Sequence, residues 1–290
     1  MFRHYKIWFA IAGVFIVSGA LICTIMLAIN RFDFSALNTN PERVKNEYQI
    51  PRDKTVNLTL ETSANDIILK KSSDNDIKVS CYESEEITYD IISTKEGENL
   101  KIAEKDNRKW YQMVDVNFGV METPLTVEIP ERDWENIKIA TSSGDIKISG
   151  IYSDDISVKT SSGDVIASQI HPNYIDIESS SGDIRLDDFF ISDKLVISTL
   201  SGDTELSKIV SNNIKINSTS GDVRLSKAES IRFEIETSSG DILGTIRGDQ
   251  NNKFNVESLS GDISVPQSKR GLGSSFNAST TSGDIRIKLS

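Results

Sequence analysis

Eight aspartates stand in one tripeptide, Ser-Gly-Asp, at Asp145, Asp164, Asp183, Asp203, Asp222, Asp241, Asp262 and Asp284. Carboxylates repeated in this way can do three kinds of chemistry. They can gather cations, of which Ca²⁺ prefers clustered carboxylates and carbonyls. They can act in pairs as acid, base or nucleophile on glycosidic bonds. Or each can accept hydrogen bonds from nearby backbone amides and fix a turn.

The enzymatic option needs two carboxylates in unlike environments, because only then do their pKa values separate. Here every aspartate sits in the same frame. Of the two histidines, His4 lies beside an apolar run and His171, in "HPNY", reads as a turn residue. No nucleophile elbow, paired-histidine zinc motif, CxxC or phosphate loop is present. No catalytic or cofactor-binding residue is assigned, and the chain reads as non-enzymatic. For cations, the array lacks the nonapeptide pattern of calcium-binding β-rolls and does not concentrate several acids per turn. Yet unit charges about 4.8 Å apart repel by about 0.9 kcal/mol even in bulk water. Backbone amides, the arginines two residues on (Arg185, Arg224, Arg286) or bound Ca²⁺ must compensate. Turn capping is favoured over a Ca²⁺ column.

The elements that carry the column are strands. The aspartates are 19, 19, 20, 19, 19, 21 and 22 residues apart, a period typical of stacked supersecondary units. Eight before each stand Ile137, Ile156, Ile175, Leu195, Ile214, Phe233, Phe254 and Phe276, and six before stand residues such as Ile139, Val158 and Ile177. Polar residues alternate with them, so each unit opens with a half-buried strand. An aliphatic residue usually follows the aspartate directly, which predicts a second strand beyond the corner. Counting in twos places both the Thr/Ser four before the aspartate and the invariant serine two before it on the inside. Leu200 and Leu259 fall in an outward, hydroxyl-rich column and offer a small binding patch. A fainter copy, "LTLETSANDIIL", puts Asn65 in the glycine column, where Asn is the second choice for a left-handed conformation. The fold class expected is all-β: a parallel β-solenoid of about 19–22-residue coils, preceded by a transmembrane helix. Its regular part is 136–290, and 51–135 is an irregular β start with Trp110 and Trp134 in its core.

Ile7 to Ile29 is an uncharged run of 23 residues, long enough as a helix to cross a bilayer. Arg3 and Lys6 in the segment 1–6 favour a cytoplasmic N-terminus. The run is longer than a signal-peptide core and ends in no small-x-small site, so an uncleaved anchor is expected. Residues 30–50 form a linker, and the domain beyond it would lie outside the cytoplasm. A net charge of −11 argues against nucleic acid as a partner. Cys23 and Cys81, the two cysteines, cannot supply a disulfide framework.

The tandem "TSSGDI" array behind a single anchor resembles the bacterial putative-adhesin family, a domain of unknown function, and in layout the LiaG-type membrane proteins of Gram-positive bacteria. The resemblance covers about residues 50–290. It implies an extracytoplasmic β-solenoid of the cell envelope, associated with envelope stress, and no catalytic residues. The function expected is a non-enzymatic scaffold, binding or sensing component; a cation-dependent adhesin and a polysaccharide-active enzyme are the alternatives. Only "IRIKLS" follows the last corner. The C-terminal coil is therefore expected to offer open strand edges to an envelope protein or a second copy, unless the loop at 265–275 folds over it.

Overall fold

The computed structural model describes residues 43–51, 54–94, 97–107, 123–131, 134–247, 253–267 and 274–290. They belong to one compact unit, Arg43–Arg108 with Met121–Ser290. The apolar run 7–29, residues 30–42 of the expected linker and Trp110 lie outside the described residues; the rest of that linker is not a tether, since Val44–Ile50 forms a strand paired with Ile77–Glu83. No helix among the described residues is long and apolar enough to cross a membrane. The chain is all-β.

Six strands come first: β1 (Val44–Ile50), β2 (Asn57–Glu61), β3 (Ile67–Lys71), β4 (Ile77–Glu83), β5 (Ile87–Thr94) and β6 (Asn99–Asp106). Then come β7 (Leu125–Ile129), β8 (Trp134–Thr141), β9 (Ile146–Ser149), β10 (Tyr152–Thr160), β11 (Val165–Ser168) and β12 (His171–Ser179). Three long strands follow, β13 (Ile184–Ser201), β14 (Thr204–Ser220) and β15 (Val223–Ser239). The last are β16 (Ile242–Ile246), β17 (Lys253–Ser260), β18 (Ile263–Ser264), β19 (Ser275–Ser282) and β20 (Ile285–Leu289).

Nearly all pairing between coils is parallel, and equivalent positions stack. Ile137, Ile156, Ile175, Leu195, Ile214 and Phe233 form one continuous column. Beyond the corner, Ile146, Val165, Ile184, Thr204, Val223 and Ile242 form another. One coil buries Ile156, Val158, Val165, Ala167 and Ile170. At about 1.5–3 kcal/mol for each large aliphatic side chain, that core is affordable only because neighbours cover it above and below.

Each coil has three faces. The second bend falls five residues after the aspartate, at Gly150, Gln169, Asp188, Lys208 and Lys227, with φ of 69°, 54°, 62°, 53° and 56°. Four of these five are not glycine, so the sequence carries no signal for this bend. The third bend is held where Ser153, Ser211 and Ser230 donate to the carbonyl two residues on.

Chain order and stacking order differ at both ends. The coil of β2 and β3 lies between β6/β7 and β8/β9, so the faint copy is not the first in the stack. Likewise β19 and β20 lie between β15/β16 and β17/β18. The C-terminal coil is thus interior, contrary to the expectation that it ends the stack. Phe276 packs between Phe233 and Phe254, with ring centroids 5.2 and 5.7 Å away. The reason lies in β18, which is only two residues long before Pro266. A coil with so little second face pairs poorly on two sides and sits at an end, whereas five-residue β20 fills the interior place.

Candidate functional site: the corner column and the groove beside it

The glycine of each corner has no room for a side chain. A Cβ on Gly163 would stand 1.9 Å from the Gly144 carbonyl oxygen, and one on Gly221 2.1 Å from that of Gly202. Close approach is the common requirement, since Gly163 does not have the positive φ seen at Gly221. Among the described corners Asn65 heads the row, with Gly144 stacked on one side of it. It is not among the residues of positive φ; its amide instead donates to Tyr89 Oη at 3.0 Å and Glu104 Oε2 at 3.1 Å. The left-handed reading of Asn65 is corrected accordingly.

The eight aspartates do stack, and the backbone N–H of each donates to the side chain of a neighbouring aspartate. The N–H of Asp145 donates to Asp66 Oδ1 at 2.8 Å, that of Asp164 to Asp145 at 2.9 Å, and that of Asp183 to Asp164 at 2.8 Å. The series runs on through Asp203, Asp222 and Asp241, each at 2.9 Å. Asp284 then donates to Asp241 and Asp262 to Asp284, in stacking order. The outer oxygens meet arginine. Arg185 bridges Asp164 and Asp183, Arg224 bridges Asp203 and Asp222, and Arg286 holds Asp284. The Arg224 guanidinium, helped by the Asp222 N–H, holds the Asp203 carboxyl below the ordinary carboxylate range. The column therefore works as an inter-coil hydrogen-bond ladder whose charge is offset by amides and arginines. Among the described residues no group of three or more His, Cys, Asp or Glu is arranged to hold a metal.

The serine two before each aspartate is exposed at all eight corners, not buried as the alternation implied. The period of two ends at the bend, where the glycine is buried at Gly144 and Gly163 and only half-buried at Gly182, Gly202, Gly221, Gly240 and Gly283. The Thr/Ser four before the aspartate does point inward and performs the task expected of that serine. Thr141 Oγ1 accepts from the Gly144 N–H at 3.2 Å, Thr160 from that of Gly163 at 3.0 Å, and Ser179 donates to the Ser181 carbonyl. His171, expected in a turn, instead opens β12 and stacks on Tyr152, its strand partner in β10, with centroids 4.8 Å apart.

Beside the corners runs an open groove of about 740 Å³, crossing six consecutive coils from Glu61 to Thr219. Ala140, Lys159, Glu178, Ser198 and Asn217 line it from the first face, five before each aspartate. Ser142, Ser161, Ser180, Leu200 and Thr219 line it from the corner. Lys159 and Glu178 pair across neighbouring coils at 2.9 Å, which raises the Lys159 pKa and keeps it charged. Leu200, 60% exposed, is the large apolar side chain in this lining, and Leu259, 84% exposed, lies outside it. Sequence reasoning found the hydroxyl-rich column but missed the groove, because concavity depends on how the corner projects from the first face.

A family model spans residues 55–288, from just before β2 into β20. The chain belongs to the Toastrack DUF4097 family. Two solved structures share the toastrack arrangement. One, described as a putative adhesin from Bacteroides fragilis NCTC 9343, is 14% identical with a TM-score of 0.51, over 86% of this chain and 99% of that one. Another, a putative adhesin from Parabacteroides distasonis ATCC 8503, is 10% identical with a TM-score of 0.52, over 86% and 98%. At such identities the likeness to this Toastrack protein is one of fold. Comparison with curated proteins finds no match.

Proposed function

We propose that this Toastrack chain is a membrane-anchored, non-enzymatic binding module displayed outside the cytoplasm in the bacterial cell envelope. The groove carries the reading: a rigid, repeating surface that offers hydrogen-bonding groups at regular intervals. The apolar run 7–29 supplies the anchor, with the N-terminus in the cytoplasm. The names given to the two similar structures agree with an adhesive role, and the LiaG-type layout with a place in envelope stress.

Retention of the full-length chain on purified bacterial cell walls tests the reading. The wild type should sediment with the walls, and Ser180→Arg, which fills the middle of the groove, should stay in solution. A wild-type chain that does not sediment ends the proposal. Loss of retention in chelator would make the adhesion cation-dependent and bring the aspartate column into it.

A further inference from the structure

Resting on that binding role, the geometry points to a class of ligand: we infer that the groove takes an extended, uncharged, hydroxyl-bearing polymer running along the stack, a straight-chain glycan. The groove runs across the coils, not along a strand, so its lining repeats at the strand spacing of about 4.8 Å. An occupant that uses successive coils alike must repeat near that distance. An extended peptide does not, since its residues advance about 3.3 Å and its like-facing side chains nearly twice that. A β-1,4-linked pyranose chain advances by close to one coil per sugar, and although successive rings turn over, each carries hydroxyls along both edges, so every coil meets one.

Charge selects in the same direction. Lys159 in the lining is already paired with Glu178, and Glu61 stands at one end paired with Lys101. A polyanion finds no unpaired cation among these lining residues, on a chain whose net charge is −11. Hydroxyls of Ser142, Ser161, Ser180 and Thr219 both donate and accept, which suits sugar hydroxyls of either orientation. Leu200 adds one apolar contact for a ring face.

The test is titration of the full-length chain in detergent with β-1,4-linked N-acetylglucosamine disaccharide, tetrasaccharide and hexasaccharide, and with maltohexaose as a curved α-linked control. Binding should tighten at least about tenfold from disaccharide to hexasaccharide, and maltohexaose should bind at least about tenfold more weakly. Ser161→Arg and Ser180→Arg should each weaken the hexasaccharide about tenfold or more, with unfolding midpoints unchanged, while Glu229→Arg on the third face should not. Affinity independent of length, equal binding of maltohexaose, or arginine variants that bind as well as the wild type would overturn the inference. Groove-dependent retention on cell walls without any oligosaccharide binding would overturn the ligand class and leave the binding role standing.

Discussion

The two ends of the stack are finished differently. At one end, antiparallel strands close the ladder: β5 lies on β6, β4 on β7 and β1 on β4. The corner there is sealed by side chains, with Asn65 reaching Tyr89 and Glu104, and Thr123 meeting both Asn65 and Arg43. Burial pushes the Tyr89 hydroxyl pKa up, so it stays protonated in that network. At the other end β17 and β18 have a strand partner on one side only, among the described residues. Ile263 there is 44% exposed, whereas its stacking neighbour Ile285 is fully buried. A parallel coil cannot end itself, because its outer edge is the same as its inner one. An end is made by changing strand direction and spending side chains on the corner, and only one end of the described stack does both.

The largest test contrasts the interior with the terminal coil. Gly163→Ala forces a Cβ against a backbone carbonyl with coils on both sides, and should cost more than about 4 kcal/mol, or prevent folding. Gly261→Ala meets the Gly283 carbonyl at 2.0 Å, yet only the terminal coil need detach to relieve it. Urea unfolding should then show a loss of roughly 1–2 kcal/mol, with fast hydrogen exchange confined to 253–264. Equal losses at the two glycines would mean that the terminal coil unfolds only with the rest.

A second contrast uses one column at both ends. Leu100, in the strand covered by β5, stacks on Leu58 and is 2% exposed; Phe254 occupies the equivalent place in β17 and is only partly buried. Leu100→Ala should cost about 2–5 kcal/mol by thermal unfolding. Phe254→Ala, although it removes the larger side chain, should cost less than about 2 kcal/mol. A reversal of that order would show the β17 end to be the better packed.

Periodicity made the middle of this stack legible in advance. The columns through Ile137 and Ile146, the corner at each glycine and the inward Thr141 class follow from alternation alone. What escaped has local causes. The exposed serines were misplaced because counting in twos was carried into a bend that has no such period. The bend at Gln169 and Lys208 left no trace, since non-glycine residues are held there by their neighbours against their own preference. The exchanged coil order at both ends was hidden too, because a repeat states which residues can stack and not in what sequence they do so. The groove was half visible: its hydroxyls are in the text, its depth is not.

The smallest effect distinguishes a ladder rung from the ladder's last aspartate. Asp203 accepts the Asp222 N–H and Arg224, so Asp203→Ala leaves a half-buried amide without its acceptor and should cost about 1–3 kcal/mol. Asp203→Asn keeps an acceptor oxygen and should recover most of that loss. Asp262 donates to Asp284, but no further coil among the described residues donates to it, and Asp262→Ala should change stability by less than about 0.5 kcal/mol. The pH dependence should report the Asp203 rung. The folded pKa of Asp203 lies below its unfolded value, so its contribution is complete above the unfolded value and is lost as pH falls through the folded one. Below about pH 4 the wild type should therefore lose stability more steeply than Asp203→Asn in urea unfolding. Identical acid limbs for the two would mean that the Arg224 and Asp222 contacts do not stabilise the Asp203 carboxylate.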